Sequence, residues 1–173
     1  MSKHQWRRWG QWIGLHACRS EDCVRAASTH ALPLPHTGDY LVWVKELTTL
    51  PLDGESLPRF FIASEDRRQE VALQQEVWGM NLTGAKGAAV VLEGEGTDST
   101  DSTDGMEREV VKLYLLSQTS LIVGTKYSEF SEAAVMGGGN IFSVYVVGSK
   151  GGGSGGEENT VRKALFDTTF YLP

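Results

Sequence analysis

From residue 39 onward, the chain consists of short runs of β-favouring residues that are separated by glycine, aspartate, serine and proline. Branched and aromatic side chains dominate these runs, and they favour extended strands. The runs cover residues 40–47, 59–64, 70–80, 88–93, 109–116, 119–123, 141–147 and 164–172. The run at 70–80 also fits a helix, because Ala, Leu, Gln and Glu are good helix formers. Outside the first part of the chain, only residues 127–136 look clearly helical. The pattern predicts an all-β protein, either a small antiparallel barrel or a sandwich.

The composition of charged and reactive residues differs before and after residue 37. All four histidines and both cysteines lie within the first 36 residues. Residues 1–37 carry a net charge of +3 and residues 38–173 carry −9, which together give the −6 of the whole chain. The larger part therefore lacks the side chains most used for nucleophilic, acid–base and zinc chemistry. We predict a basic head at 1–37 and a non-enzymatic domain at 38–173 that needs no cofactor, with flexible loops at 94–106 and 148–158.

The head is rich in tryptophan and arginine. Trp6, Trp9 and Trp12 follow one another at steps of three, and Arg7 and Arg8 lie between them. An amphipathic, arginine-containing segment that is poor in acids is typical of a targeting presequence. The alternative is an arm that docks on a partner or on nucleic acid through indole stacking and arginine contacts. We favour the presequence, which predicts a mitochondrial location, with a cytoplasmic or nuclear location as the alternative.

Four residues of the head invite a zinc interpretation: His16, Cys18, Cys23 and His30. The cysteine spacing lies at the edge of the usual range for zinc ligands and the order of ligands is irregular, so we predict no metal site. Two cysteines are too few for a disulfide framework, and we expect free thiols. The chain has no run of 18 apolar residues, so no transmembrane helix is predicted.

Aromatic residues alternate with basic ones inside several of the predicted strands. On a small barrel, outward aromatic rings beside cations form a stacking surface for single-stranded nucleic acid. The net charge of −9 on the larger part opposes such binding, since phosphate contacts depend on positive charge. The predicted nucleic-acid contacts are Trp43, Lys45, Arg59, Phe61, Trp78 and Lys112.

Residues 39–123 resemble the OB-fold of the bacterial and mitochondrial single-stranded DNA-binding proteins. Phe60-Phe-Ile-Ala-Ser64 is similar to the family pattern Phe-x-Leu-Ala-Thr, and Lys86-Gly-Ala-Ala-Val-Val-Leu-Glu-Gly94 is similar to Lys-Gly-x-x-Val-x-Val-x-Gly. The OB-fold subunits of the kinetoplastid mitochondrial RNA-editing complex share this pattern. The resemblance implies RNA binding and docking between subunits. The strands after residue 140 would then form an added C-terminal hairpin.

These observations predict a non-enzymatic OB-like barrel with an N-terminal basic extension. It would be a subunit of a nucleoprotein complex that binds single-stranded RNA or DNA, partner subunits, or both, and no membrane. One alternative is a structural β-sandwich subunit of a large assembly that does not bind nucleic acid. Another is a β-barrel that binds a small molecule.

Overall fold

A computed structural model describes residues 12–49, 58–80, 89–92, 103–138, 142–146 and 148. Strands and helices follow one another along these residues. The strands are β1 (Trp12–His16), β2 (Arg59–Ala63), β3 (Ala89–Val91), β4 (Leu121–Thr125) and β5 (Phe142–Val146). The helices are α1 (Glu21–Thr29), α2 (Thr37–Thr49), α3 (Arg67–Gly79), α4 (Thr103–Ser117) and α5 (Glu129–Gly138).

The five described strands form one sheet in the order β3-β2-β1-β4-β5, and each neighbouring pair is parallel. Parallel neighbours need long crossover connections, and helices supply them here. The strand order runs outward from β1 in both directions, which makes the sheet doubly wound. The predictions of an all-β antiparallel barrel and of a sandwich are therefore wrong, and so is the resemblance to the OB-fold.

The sheet has a hydrophobic core on each face. The larger core lies between the sheet and helices α2 and α3, and its helix residues include Tyr40, Val44, Leu73 and Val77. On the other face α4 and α5 pack through residues such as Leu116 and Ala134. Because helices pack on both faces, the three central strands β1, β2 and β4 are buried on both sides along most of their length, and their sequences are mostly apolar rather than alternating.

Helix α2 occupies the run that was predicted to be the first strand, residues 40–47. Its buried residues are Tyr40, Trp43, Val44 and Leu47, at the spacing i, i+3, i+4, i+7 that places them along one side of a helix. The branched and aromatic composition of this run favours a strand, but the spacing of its apolar positions is that of a helix, and the helix is what forms.

Two more predicted strands, at 70–80 and 109–116, are helices. In α3 the side chain of Asp66 accepts a hydrogen bond from the Arg68 N–H and caps the helix, and Leu73 and Val77 are buried one turn apart. In α4 the branched residues Val110 and Val111 are exposed, so they do not mark a buried strand.

The strand predictions at 59–64, 88–93 and 141–147 are confirmed by β2, β3 and β5, and the one at 119–123 by β4, two residues further along. The predicted helix at 127–136 is confirmed by α5.

Strand β1 lies inside the segment that was expected to be a separate head. It pairs with β2 on one side and β4 on the other, so it is the central strand of the sheet. The predicted strand at 164–172, Trp6 and Trp9, and most of the loops at 94–106 and 148–158 lie outside the described residues. None of the described helices combines the length and the apolar character that crossing a membrane requires.

Candidate functional site

The candidate site lies at the carboxyl edge of the sheet, where β1, β2 and β4 end. In open, doubly wound sheets, ligands bind outside the carboxyl ends of the strands, at the point where the strand order reverses. Here that point is β1, with β2 and β4 as its neighbours. Each of these strands contributes polar residues at or just beyond its end. Two serines come from the start of α5: Ser128 directly precedes the helix, and Ser131 is in its first turn.

His16, the last residue of β1, links two of these elements. Its side chain is 1% exposed and its Nδ1 lies 2.7 Å from the Ser131 Oγ of α5 and 3.4 Å from the Ser128 Oγ. Its Nε2 lies 3.5 Å from Glu65 Oε1, just beyond β2. In the tautomer that carries its proton on Nε2, Ser131 donates to Nδ1 and the imidazole donates to the carboxylate. Phe130 stacks on the ring, with the ring centroids 4.8 Å apart, and fixes its plane.

Of the three residues Ser131, His16 and Glu65, only Glu65 is partly exposed to solvent, with a side chain that is 21% exposed. Burial opposes its ionisation, but the hydrogen bond and the electrostatic attraction of the His16 ring outweigh burial and lower the pKa of the carboxyl, with help from the backbone N–H groups of Glu65 and Arg19. Its second oxygen, Oε2, is buried and has no hydrogen-bond partner among the described residues. The site therefore contains an ionised carboxylate with one oxygen, Oε2, that makes no hydrogen bond among the described residues.

The sequence of contacts Ser131–His16–Glu65 resembles a nucleophilic triad in composition, but its geometry does not fit that role. A nucleophilic serine must reach its substrate, whereas the side chain of Ser131 is fully buried against Gly124 of β4. The exposed member is the carboxylate instead of the serine. Ser131 thus holds His16 in place, and the chemistry available to a ligand is that of Glu65.

Thr125, the last residue of β4, fixes the loop that follows β1. Its Oγ1 donates to the His16 carbonyl at 3.1 Å and accepts from the Cys18 N–H at 2.7 Å and from the Tyr40 hydroxyl at 2.6 Å. A threonine hydroxyl has one donor and two acceptor positions, and all three are used. Burial raises the pKa of Tyr40 far above its ordinary value, although the hydrogen bond to Thr125 opposes the change, so the phenol stays protonated.

The segment after α1 covers the ends of β4 and β5. The Gly148 N–H donates to the Pro33 carbonyl at 3.0 Å, and His30 stacks on Tyr127 with ring centroids 4.1 Å apart. Arg19 donates to the Pro35 carbonyl at 2.7 Å and ties the segment to the loop after β1. Because this side of the edge is covered, Glu65 on the β2 side is more accessible than His16 and Thr125.

The helices that begin at this edge carry acidic residues in their first turns: Glu21 and Asp22 in α1, Asp39 in α2, Glu70 in α3, and Glu129 and Glu132 in α5. Helix N-termini attract anions, but here carboxylates of the chain already occupy these positions. The N-cap residues Ser20 and Asp66 also satisfy backbone N–H groups of α1 and α3. The electrostatics of the edge therefore favour a neutral or cationic ligand over a phosphate.

The two cysteines beside the site form a disulfide. Cys18, in the loop after β1, is bonded to Cys23 in the first turn of α1, so the expectation of free thiols is wrong. The bond links the loop to the helix that follows it. Among the described residues, no group of three or more histidine, cysteine or acidic side chains is arranged to hold a metal ion.

The six residues predicted to contact nucleic acid lie on four different elements. Trp43, Phe61 and Lys112 are buried, and Lys112 forms ion pairs with Glu70 and Glu109. Lys45 and Arg59 are exposed, and Trp78 is 48% exposed with its indole N–H donating to the Ala89 carbonyl. No observation tests their contact with nucleic acid directly. The assignment stays a prediction, now without the barrel on which it was based.

No protein-family model matches the chain, and no curated protein does so either. Among solved structures, it is similar to NodZ α-1,6-fucosyltransferase crystallised with GDP, at 14% identity and a TM-score of 0.45, over 76% of this chain and 37% of the other. The fucosyltransferase NodZ from Bradyrhizobium matches at 13% identity and a TM-score of 0.45, over 74% of this chain and 36% of that one. The chain thus spans little more than a third of the length of these structures.

The predicted function needs correction along with the fold. A nucleic-acid-binding OB subunit is contradicted by the parallel α/β sheet. The prediction that the chain is not an enzyme is wrong as well: it depended on separating the histidines from the folded domain, yet His16 lies in that domain beside Glu65.

Proposed function

We propose that this chain is a ligand-binding α/β domain of the kind found in enzymes, and that it takes a small hydroxylated or amine-bearing ligand above the ends of β1 and β2. The observation that carries the proposal is the carboxylate of Glu65, which is supported by His16 and has a second oxygen without a partner among the described residues. A carboxylate in this state accepts hydrogen bonds from O–H or N–H groups and attracts a cation.

The lowered pKa of Glu65 defines what the group can do for a ligand. At neutral pH it is a stable anion and a weak base, since an efficient general base has a pKa near the working pH. It is suited to orienting a ligand hydroxyl or to offsetting positive charge that develops during a reaction. His16 keeps Oε1 in place, and Oε2 has no hydrogen-bond partner among the described residues.

The test is an NMR titration of the full-length protein with three probes: a neutral hexose, an alkyl amine and inorganic phosphate. We expect the hexose or the amine to shift the resonances of His16 and of the backbone around Glu65, and phosphate to shift neither. Glu65→Gln should weaken binding by about tenfold, which corresponds to the loss of one charge-assisted hydrogen bond. Glu76→Gln, on the exposed side of α3, is the matched control.

Two results would overturn the proposal. One is binding of phosphate at this edge without binding of the hexose or the amine. The other is an equal affinity of the Glu65→Gln and Glu76→Gln variants for the ligand, which would mean that the ligand binds elsewhere.

A further inference from the structure

A groove on the α4 side of the sheet is separate from the candidate site. Along β2 and β3, side chains alternate between the two faces: Phe60 and Ala89 point into the core under α2 and α3, whereas Phe61 and Val90 point to the other face. Helix α4 passes beside these two strands and leaves part of that face uncovered, so Val90 is 40% exposed. We call this the β3 groove; it is lined chiefly by Trp12, Phe61, Val90, Leu92, Leu115 and Gln118.

The β3 groove has the size and lining of a small-molecule site. Its volume is about 330 Å³, and most of its surface is apolar. Ligand pockets typically measure about 300 to 1,000 Å³ and combine an apolar lining with a few polar groups. Trp12 and Phe61 supply flat aromatic surfaces, and Gln118 supplies a polar amide at one end.

A cation lies at the rim of the groove. The guanidinium of Arg59 lies 5.7 Å from the centre of the Trp12 ring, and Arg59 is on the same side of β2 as Phe61. None of the described residues that line the groove is acidic. An apolar ligand with a negative group would therefore place its body on Trp12 and Phe61 and its charge near Arg59.

The geometry points to the β3 groove as a binding site for a small aromatic or branched aliphatic anion, such as an apolar carboxylate. This inference goes beyond the proposed function, because it concerns a different face of the sheet and a ligand of opposite charge preference. The acidic edge at Glu65 disfavours anions, whereas the groove beside Arg59 attracts them.

The test uses two fluorescent probes with the same aromatic framework. Anilinonaphthalene sulfonate carries a negative charge, and N-phenylnaphthylamine carries none. We expect both to bind the folded full-length protein with one site per chain, and the sulfonate to bind more tightly. Near-ultraviolet circular dichroism confirms that each variant used is folded, since these probes also bind partly unfolded chains.

Three variants separate the contributions. Val90→Glu places a charge in the groove and should weaken both probes by about tenfold or more. Arg59→Gln should weaken the sulfonate by about fivefold and leave the uncharged probe unchanged. Met136→Glu, at a residue of α5 that is 82% exposed, is the matched control and should change neither affinity.

Several results would overturn the inference. If the Val90→Glu variant binds both probes with the same affinity as the Met136→Glu control, the β3 groove is not the binding site for the probes. If Arg59→Gln affects the two probes equally, the ligand is not selected for its charge. If the protein binds neither probe and self-associates until Val90→Glu makes it monomeric, the groove is covered by a second copy of the chain instead.

Discussion

At the residue scale, the charge of Glu65 depends on His16. Burial alone would raise the pKa of this carboxyl, and the contact with His16 is the main reason that it is lowered from the ordinary value of 4.5. His16→Phe removes the hydrogen bond and the electrostatic attraction of the imidazole but keeps a ring against Phe130. We expect the pKa of Glu65 to rise in this variant, because burial then meets less opposition. Carbon-detected NMR titration of the side-chain carboxyl measures the change, and His36→Phe, at an exposed residue, is the control.

The same substitution changes how stability depends on pH. In the unaltered protein, the pKa of Glu65 is lower in the folded state than in the unfolded state, so ionised Glu65 stabilises the fold above about pH 4.5. This stabilisation is lost as the pH falls through the folded-state pKa. In His16→Phe the folded-state pKa of Glu65 should move up toward the unfolded-state value, so this stabilisation should become smaller. An unchanged pKa for Glu65 would contradict the role given to His16.

The residues of the candidate site could not be identified as a group from the sequence. His16 and Ser131 are 115 positions apart, and the fold alone brings them together. The sequence did contain a local signal at His16 and Glu65. Each follows or ends an apolar run and stands shortly before an N-cap residue, Ser20 or Asp66. A polar residue between a buried strand and a helix N-cap is typical of the carboxyl edge in α/β proteins.

At the element scale, a buried ion network joins α3 and α4 to the end of β2. The Lys112 ammonium lies 2.7 Å from Glu70 Oε1, 2.8 Å from Glu109 Oε1 and 2.6 Å from the Ser64 carbonyl oxygen, so its three donors are all used. Glu70 is fully buried and also accepts from Arg67 and from the Ser64 N–H. The network holds the two helices, on opposite faces of the sheet, at one strand end.

Lys112→Met should destabilise the protein strongly, because it leaves the buried Glu70 carboxylate with less compensating charge. Breaking a buried ion pair from one side costs about 3 to 5 kcal/mol, and the remaining Arg67 contact places the expected loss near the lower value. Urea unfolding measures it. Lys45→Met, at an exposed position of α2, should change the free energy of unfolding by less than about 0.5 kcal/mol. Equal losses in the two variants would show that the network does not hold the helices in place.

Most of the strands could be predicted from the sequence, but three helices could not. The runs at β2, β3, β4 and β5 are rich in branched and aromatic residues and are strands. The same composition occurs in α2, where it covers one buried side, and in α4, where Val110 and Val111 face solvent. Composition alone therefore gives the wrong prediction for these helices, because the spacing of the buried positions determines their structure. With α2, α3 and α4 assigned as strands, the alternation of strands and helices that indicates a parallel sheet was hidden.

At the scale of the whole molecule, β1 determines whether the sheet can exist. It provides the partner for β2 along one edge and for β4 along the other, and its Ile13 and Leu15 lie in the larger core. Among the described strands, the two halves of the doubly wound sheet are hydrogen-bonded to each other only through β1. A mitochondrial location and binding to partner subunits stay predictions. Any processed chain that keeps this fold must keep the residues from Trp12 onward.

A chain that begins at residue 38 should consequently fail to fold. Without β1, strands β2 and β4 each lose a parallel neighbour, and the apolar surface under α2 and on the α5 side is exposed to water. We expect no cooperative thermal transition, strong tendency to aggregate, and recovery of helical circular dichroism when a peptide of residues 1–37 is supplied during refolding. The full-length chain is the reference in each measurement. A cooperative transition in residues 38–173 at the melting temperature of the full chain would mean that β1 is dispensable, and it would support the predicted division into a head at 1–37 and a domain at 38–173.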